Sequence, residues 1–462
     1  MSRFDLLVVG SGPAGMATAI AACRLGLSVA VVDDQSAPGG QIWRSVETIS
    51  RRDAILGSAY VEGRAVANSF RACGATYMPG GQLWKVDEGL RAWLSNDGQA
   101  WSIEAAAIVL ATGAQERPAP FPGWTLPGVL TVGAAQIMLK NAGQIPSEPA
   151  WIAGSGPLPL LYAIQLLRAG GTIAGYLDTT PPGQWRCALR HLPNAVRAAG
   201  DLLKGLGWMA RLRTSGTQVF RHVEMLEACG GDRLEELRFS ARGGAIKSAA
   251  TGLLLVHEGV LPNIHAPLSL DCEISWNPAQ DCFAPVLDEW GESSRTGVYV
   301  VGDGAGIGGA KAALLRGEVA ALRIATKAGR LSDASAANLA RPVRRKLARE
   351  LAARPFLDAM FRPRAQIFEP ADATIVCRCE ELRAGDIRVA AAVGQPGPNL
   401  VKSATRCGMG PCQGRQCGYS VTRILAEVQD RSPAEVGFFH IRAPLKPVTL
   451  GELAALHQPA GS

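Results

Sequence analysis

The sequence predicts an α/β protein built from two dinucleotide-binding units, with a small cysteine-rich domain at its C-terminal end. Three observations carry this expectation. Residues 6–34 read as strand, glycine turn, helix, strand and acid; residues 151–178 repeat that order; and five of the 11 cysteines crowd between Cys377 and Cys417.

In the first unit, residues 6–9 are continuously apolar, as suits a strand buried on both faces. Gly10-Ser11-Gly12-Pro13-Ala14-Gly15 then supplies the three glycines of a dinucleotide fingerprint. Gly10 permits the tight turn, Gly12 lets backbone approach a diphosphate at the positive end of the next helix, and Gly15 lets that helix pack closely on the sheet. Residues 29–32 form the second strand. Asp33 ends it, followed by Asp34, where a carboxylate can accept hydrogen bonds from a ribose diol. The unit is expected to bind an adenine dinucleotide.

Length and composition bound the rest. A chain of 462 residues is too long for one core, so two to four domains are expected. No run of 18 apolar residues occurs, and Asp5 and the glycine turn interrupt the apolar opening, so neither a membrane span nor a signal peptide is expected. The net charge of +7 is spread out except across residues 341–364, where eight basic residues face two acidic ones. That segment reads as a helical arm with Val343, Leu347 and Leu351 on one stripe until Pro355 breaks it. No aromatic residue lies between Arg341 and Arg354, so a solvated helix packed on its own protein is expected, not a nucleic-acid or membrane contact.

Along the chain, Gly39-Gly40-Gln41-Ile42-Trp43-Arg44 offers bare backbone that can lie against a flat ring system. Residues 104–113 read as an apolar strand running into Ala111-Thr112-Gly113, where glycine lets the chain pass close to a dinucleotide. The second unit carries Gly154-Ser155-Gly156 and ends in Asp178, which favours an unphosphorylated ribose, but Pro159 stands where the third glycine belongs. A working NAD-type or other adenine-nucleotide site and a retained fold with an altered pocket both stay open there. Residues 253–256 form one more buried strand, and Leu261-Pro262-Asn263 returns the chain to the first domain. A last strand at 296–301 ends in Gly302-Asp303 at a helix start, where the carboxylate can bond ribityl hydroxyls or cap the helix.

These motifs, in this order and with an inserted second unit, resemble the two-dinucleotide-domain flavoproteins that include thioredoxin and glutathione reductases. The resemblance implies FAD on the first domain, held by Gly10, Gly12, Pro13, Ala14, Gly15, Asp33, Asp34, Gly40, Gln41, Arg44, Ala111, Thr112, Gly113, Gly302 and Asp303. Neither the helix after Gly40 nor the inserted domain carries a cysteine pair at CxxC or CxxxxC spacing, so dithiol–disulfide chemistry is not expected.

In the tail, Cys377-Arg378-Cys379 precedes Cys407, Cys412 and Cys417. Four thiolates suffice for one [2Fe-2S] cluster; zinc also takes four, but usually through CxxC knuckles, and none is present. Cys377 and Cys379 are fixed by their spacing, while three cysteines compete for two further places. Arg378, Arg406 and Arg415 stand ready to offset cluster charge. The tail is similar to the bacterioferritin-associated ferredoxin type of [2Fe-2S] domain, and the 32 residues between Cys379 and Cys412 suit it better than the 27 before Cys407. Cys412 and Cys417 are therefore the expected partners. Gly408 and Gly410, which free backbone N–H groups before Cys412, agree with that choice.

The whole chain, including PGGQIWR and TRCGMGPCQGRQC, resembles the α (or A) subunits of heteromeric flavin dehydrogenases: opine oxidase, D-hydroxyproline and dye-linked proline dehydrogenases, and hydrogen cyanide synthase. That family implies an electron-transfer subunit serving an amino-acid-oxidase-like flavoprotein β subunit that oxidises a C–N bond. It also implies a further flavin, FMN, at the subunit boundary. A cytoplasmic location follows, with attachment at the inner membrane face as its variant, and the respiratory chain is one candidate acceptor. No catalytic residue is named, because the six histidines stand isolated. The rival readings are a self-sufficient NAD(P)H-dependent flavin oxidoreductase and a redox-sensing regulatory protein. The expected boundaries are 1–117 with 256–330 for the FAD domain, 118–255 for the inserted NAD(P)-type domain, 331–370 for a helical linker, and 371–462 for the [2Fe-2S] domain and tail.

Overall fold

The computed structural model describes residues 2–48, 52–394 and 396–456. The two expected units are present. In the first, Ser2–Val9 lies at the centre of a sheet, parallel to Val29–Asp33 on one side and to Gln99–Leu110 on the other. Thr76–Pro79 extends it beyond Val29–Asp33, and Val298–Val300 pairs in parallel with the end of Gln99–Leu110. The strand expected over 104–113 instead begins at Gln99, because its first half pairs antiparallel with Arg91–Asn96. Its second half, all apolar, is the part buried between the parallel neighbours.

Glycine sets how closely the layers approach. A Cβ on Gly15 would lie 1.8 Å from the Gly10 carbonyl oxygen, and one on Gly317 would lie 2.4 Å from that of Ala14. The second contact lets the helix Ala310–Lys327 press against the helix Pro13–Arg24.

The second unit is a five-stranded parallel sheet ordered Gln218–Arg221, Ile173–Asp178, Ala150–Gly154, Leu254–His257, Val129–Thr131. Its helix, Pro157–Arg168, starts on proline, and Pro159 is buried in the first turn where no backbone donor is lost. The chain passes between the units through Ala114–Glu116, paired antiparallel with Val260–Pro262.

The basic segment forms the helix Asp333–Glu350, which carries Pro342 inside it and buries Ala336, Ala340 and Val343 against the protein. Pro355 opens a second short helix, Arg354–Met360, as proline in a first turn can. From there Arg364 plunges inward. Its Nε donates to Glu258 Oε1 at 2.8 Å, with side chains only 4% and 0% exposed, and its Nη1 donates to the Glu224 carbonyl.

Among its described residues the C-terminal part is a short hairpin, Ile375–Cys377 with Leu382–Arg383, and five helices, the longest being Gly418–Val428. Val376, Tyr419, Ile424, Phe438 and Phe439 share one hydrophobic core with Leu7, Leu94 and Ile108 of the first sheet. Residues 457–462 of the expected tail lie outside the described residues.

Candidate functional site

A cavity of about 520 Å³ opens at the carboxyl ends of the first sheet, where ligands of open α/β sheets bind. Of the expected FAD contacts, Gly10, Gly12, Pro13, Ala14, Asp33, Asp34, Gly40, Gln41, Ala111, Thr112, Gly113, Gly302 and Asp303 line it. Gly15 sits behind the turn, against Gly10. Arg44 stands beside the cavity, its guanidinium held by the side-chain oxygens of Gln35 and Gln41.

The turn is a cradle that side chains would fill. A Cβ on Gly10 would lie 2.5 Å from the Ala111 carbonyl oxygen, and one on Gly40 would lie 2.9 Å from the Gly12 Cα. Both positions have positive φ, so glycine is required for conformation as well as space. Asp33, 8% exposed, anchors the turn: Oδ2 accepts from Ser11 N at 2.5 Å and Ser11 Oγ at 2.7 Å, and Oδ1 accepts from Gln35 N at 2.8 Å. A carboxylate has lone pairs to spare for a ribose diol beyond these. Asp303 takes the capping role, Oδ1 accepting from Gly308 N and Gly309 N at the start of Ala310–Lys327, and the residue also lines the cavity.

Burial opposes the charge on Asp34, yet the Lys446 ammonium bonded to it holds its carboxyl below the usual range. Beneath Gln41, the buried Lys140 donates to the Gln41 carbonyl at 3.0 Å and to Gln136 Oε1 at 2.8 Å, tying the inserted unit to the cavity rim. Burial, helped by the nearby Arg44 charge, pushes its ammonium down to about 7.

A fourth wall comes from a region the motifs do not point to. Arg415, Leu445 and Lys446 line the same cavity from the C-terminal domain. Gln115 Nε2 donates to the Arg415 carbonyl at 2.9 Å, and His265, kept neutral by burial at about 3, donates Nε2–H to the Gln413 carbonyl. Lys446 carries no sequence signal, since its partner Asp34 lies 412 positions away. Arg415 stands out in the sequence only as one of three arginines among the cysteines.

The same loop gathers the thiols. The sulfurs of Cys377, Cys407 and Cys417 all lie within 4.8 Å of one another and are buried. Cys379 meets Cys412 through both the thiol and the backbone N–H of the latter. The structure thus brings the expected cysteines together as two groups and adds Cys407 to one of them. The thiols of Cys407 and Cys417, with the backbone N–H groups of Gly408 and Glu380, hold Cys377 far below the usual thiol range. Bonding to Cys377 in turn pushes the Cys407 and Cys417 thiols up. Cys417 is also the N-cap of Gly418–Val428, whose positive end favours a thiolate. A Cβ on Gly410 would lie 2.2 Å from that of Cys379, so glycine admits the close loop contact. Such a buried, N–H-lined thiol group fits a metal cluster.

The second glycine turn differs from the first. Gly154, Ser155 and Gly156 are all buried, and the linker's Phe361 Cβ lies 4.0 Å from where a Gly156 Cβ would stand.

Residues 4–329 match the pyridine nucleotide-disulphide oxidoreductase family, and residues 372–457 match the sarcosine oxidase A3 domain. The chain is 42% identical to the opine oxidase A chain of Rhizobium meliloti (strain 1021), covering 99% of this chain and 100% of that one. It is 31% identical to the HcnB component of hydrogen cyanide synthase from Pseudomonas protegens, covering 96% of each. Its fold matches the crystal structure of L-proline dehydrogenase from P. horikoshii with a TM-score of 0.72 at 18% identity, covering 98% of this chain and 80% of that one. FAD is the cofactor the glycine cradle and the family match over residues 4–329 support. The chain therefore belongs to the pyridine nucleotide-disulphide oxidoreductase family, in the group formed by the A subunits of opine oxidase.

Proposed function

We propose that this oxidoreductase is the electron-transfer subunit of a heteromeric dehydrogenase. An amino-acid-oxidase-like flavoprotein partner oxidises a C–N bond of an opine or a D-amino or imino acid, and this chain carries the electrons away through FAD and a [2Fe-2S] cluster. The observation that carries the reading is the shared wall: the loop between Cys412 and Cys417 places Arg415 in the flavin cavity. A bound FAD can accept an electron pair and release electrons singly to such a cluster. The chain's own residues position it: Asp33 for the ribose, Gly10 and Gly12 for the diphosphate, and Asp303 for the ribityl chain. We place the cluster on Cys377, Cys379, Cys412 and Cys417, and an FMN at the boundary with the partner.

The buried second glycine turn argues against the NAD(P)H-dependent alternative. Purified chain under anaerobic conditions is expected to keep its flavin absorbance when NADH or NADPH is added. It is also expected to ignore an opine until the partner flavoprotein is supplied, and then to bleach. Rapid bleaching by NADH alone would overturn the reading.

Asp33→Ala is expected to weaken FAD retention by about 1.5–3 kcal/mol for each charge-assisted bond lost. The deficit includes the turn's own anchor, since Ser11 N and Oγ lose their acceptor. Flavin fluorescence after dilution and gel filtration measures it, and unchanged retention would count against the site.

A further inference from the structure

We propose that Arg415 binds the diphosphate of FAD, so that the cysteine-bearing domain supplies part of the flavin site and the two cofactors hold one another in place. The inference rests on the FAD and cluster reading above and adds a residue to it.

Arg415 faces the cavity, where no carboxylate pairs with it among the described residues and the anionic group nearest it is the Cys412 thiol of its own loop. Nη1 donates to the Cys412 carbonyl at 3.2 Å and Nη2 to the Leu445 carbonyl at 3.0 Å. These bonds fix the guanidinium without neutralising it, and they leave donors of its five free. Among the described residues no carboxylate forms an ion pair with Arg415, whereas Lys446, the other cation of that wall, is committed to Asp34. Asp33 and Asp303, the other acids of the cavity, accept from donors of their own loops, Ser11 and Gln35 for one and Gly308 and Gly309 for the other, and neither forms an ion pair with Arg415. A half-buried cation that no carboxylate pairs with, and whose guanidinium keeps donors open to the cavity, favours a ligand that brings negative charge there. Oxidised FAD carries its formal negative charge on the diphosphate, and arginine's planar fork matches phosphate oxygens in paired bonds.

The sequence position adds the coupling. Arg415 lies between Cys412 and Cys417 and holds the Cys412 carbonyl, while its own carbonyl hangs on Gln115, two residues beyond Gly113 of the cradle. Cluster ligation fixes the loop that aims the guanidinium. By linkage, whatever FAD gains from the cluster the cluster gains from FAD.

The test measures FAD affinity by flavin fluorescence, with iron content and circular dichroism as controls, for wild type, Arg415→Ala and Arg415→Lys. Arg415→Ala is expected to raise Kd about tenfold or more, equivalent to ~1.4 kcal/mol per decade, with iron unchanged and Arg415→Lys recovering part. Oxidised and reduced FAD should weaken by the same factor, leaving the midpoint potential where it was, because the diphosphate does not change charge on reduction. A wild-type Kd in iron-replete Arg415→Ala would overturn the proposal. So would a shifted potential with an unchanged oxidised Kd, which would put the guanidinium at the ring. If Arg415→Ala loses both iron and fold, wild-type protein decides: chelating its iron while circular dichroism stays native must speed FAD release, and an unchanged release rate sinks the coupling. Wild type that holds FAD without iron would instead refute the cluster reading and leave the Arg415 comparison valid.

Discussion

Cys377→Ser and Cys417→Ser are each expected to abolish the EPR signal of the reduced cluster, and Cys407→Ser to leave it nearly intact. Five thiols compete for four places. A [2Fe-2S] cluster sets two thiolates on each iron, and in the proposed site the contact between Cys379 and Cys412 would supply one pair. The second would come from Cys377, Cys407 and Cys417, all mutually close. Cys377 receives the backbone N–H groups of Gly408 and Glu380, and Cys417 stands at the N-cap position of Gly418–Val428, the positive end of that helix. Cys407 follows the end of Pro398–Thr405, so its own backbone stands at the negative end of a helix. Its volume fits a small buried side chain against the cluster. Loss of the signal in Cys407→Ser, with retention in Cys417→Ser, would reverse the pairing. Zinc instead of iron in anaerobically purified protein would remove the electron-transfer role altogether.

Much of this was legible in the sequence because it rests on local spacing. Gly10, Gly12 and Gly15 declare themselves by intervals that only a strand–turn–helix can use, and Asp33 by ending the next strand. Gly302-Asp303 was readable for the same reason. Contacts between distant segments left no such trace. Nothing near Lys446 announces Asp34, and nothing near Gln115 announces the Arg415 carbonyl, since each pairing is set by how the C-terminal domain packs on the first sheet. The cysteines lie between these cases. Their intervals identified a thiolate site, but the sequence cannot report that the chain turns Cys407 inward beside Cys377 and Cys417. The second unit shows the reverse limit. Its glycines predicted the fold that formed, while the residue lying against Gly156 is Phe361, from a linker two hundred positions later.

That linker is held by the most deeply buried ion pair of the described chain, and Arg364→Ala is expected to destabilise the protein by about 3–5 kcal/mol. The loss exceeds one hydrogen bond because Glu258, wholly buried, would keep only Thr179 Oγ1, a neutral donor at 3.2 Å, as a hydrogen-bond partner among the described residues, with the Arg117 charge near but not bonded to it. Replacing both members, as in Arg364→Met with Glu258→Leu, removes the stranded charge and should recover most of the deficit. A loss of about 1 kcal/mol should persist, because the Glu224 carbonyl also loses its donor. Urea midpoints for the two single variants and the double complete the cycle, and their coupling energy separates a charge effect from simple loss of packing. The single variant should also release the linker locally. Hydrogen exchange at Ser155 and Gly156 should then accelerate relative to wild type, while exchange along Ser2–Val9, in the other sheet, stays slow. A single variant within about 1 kcal/mol of wild type would show that the pair is not what holds the linker over the second glycine turn.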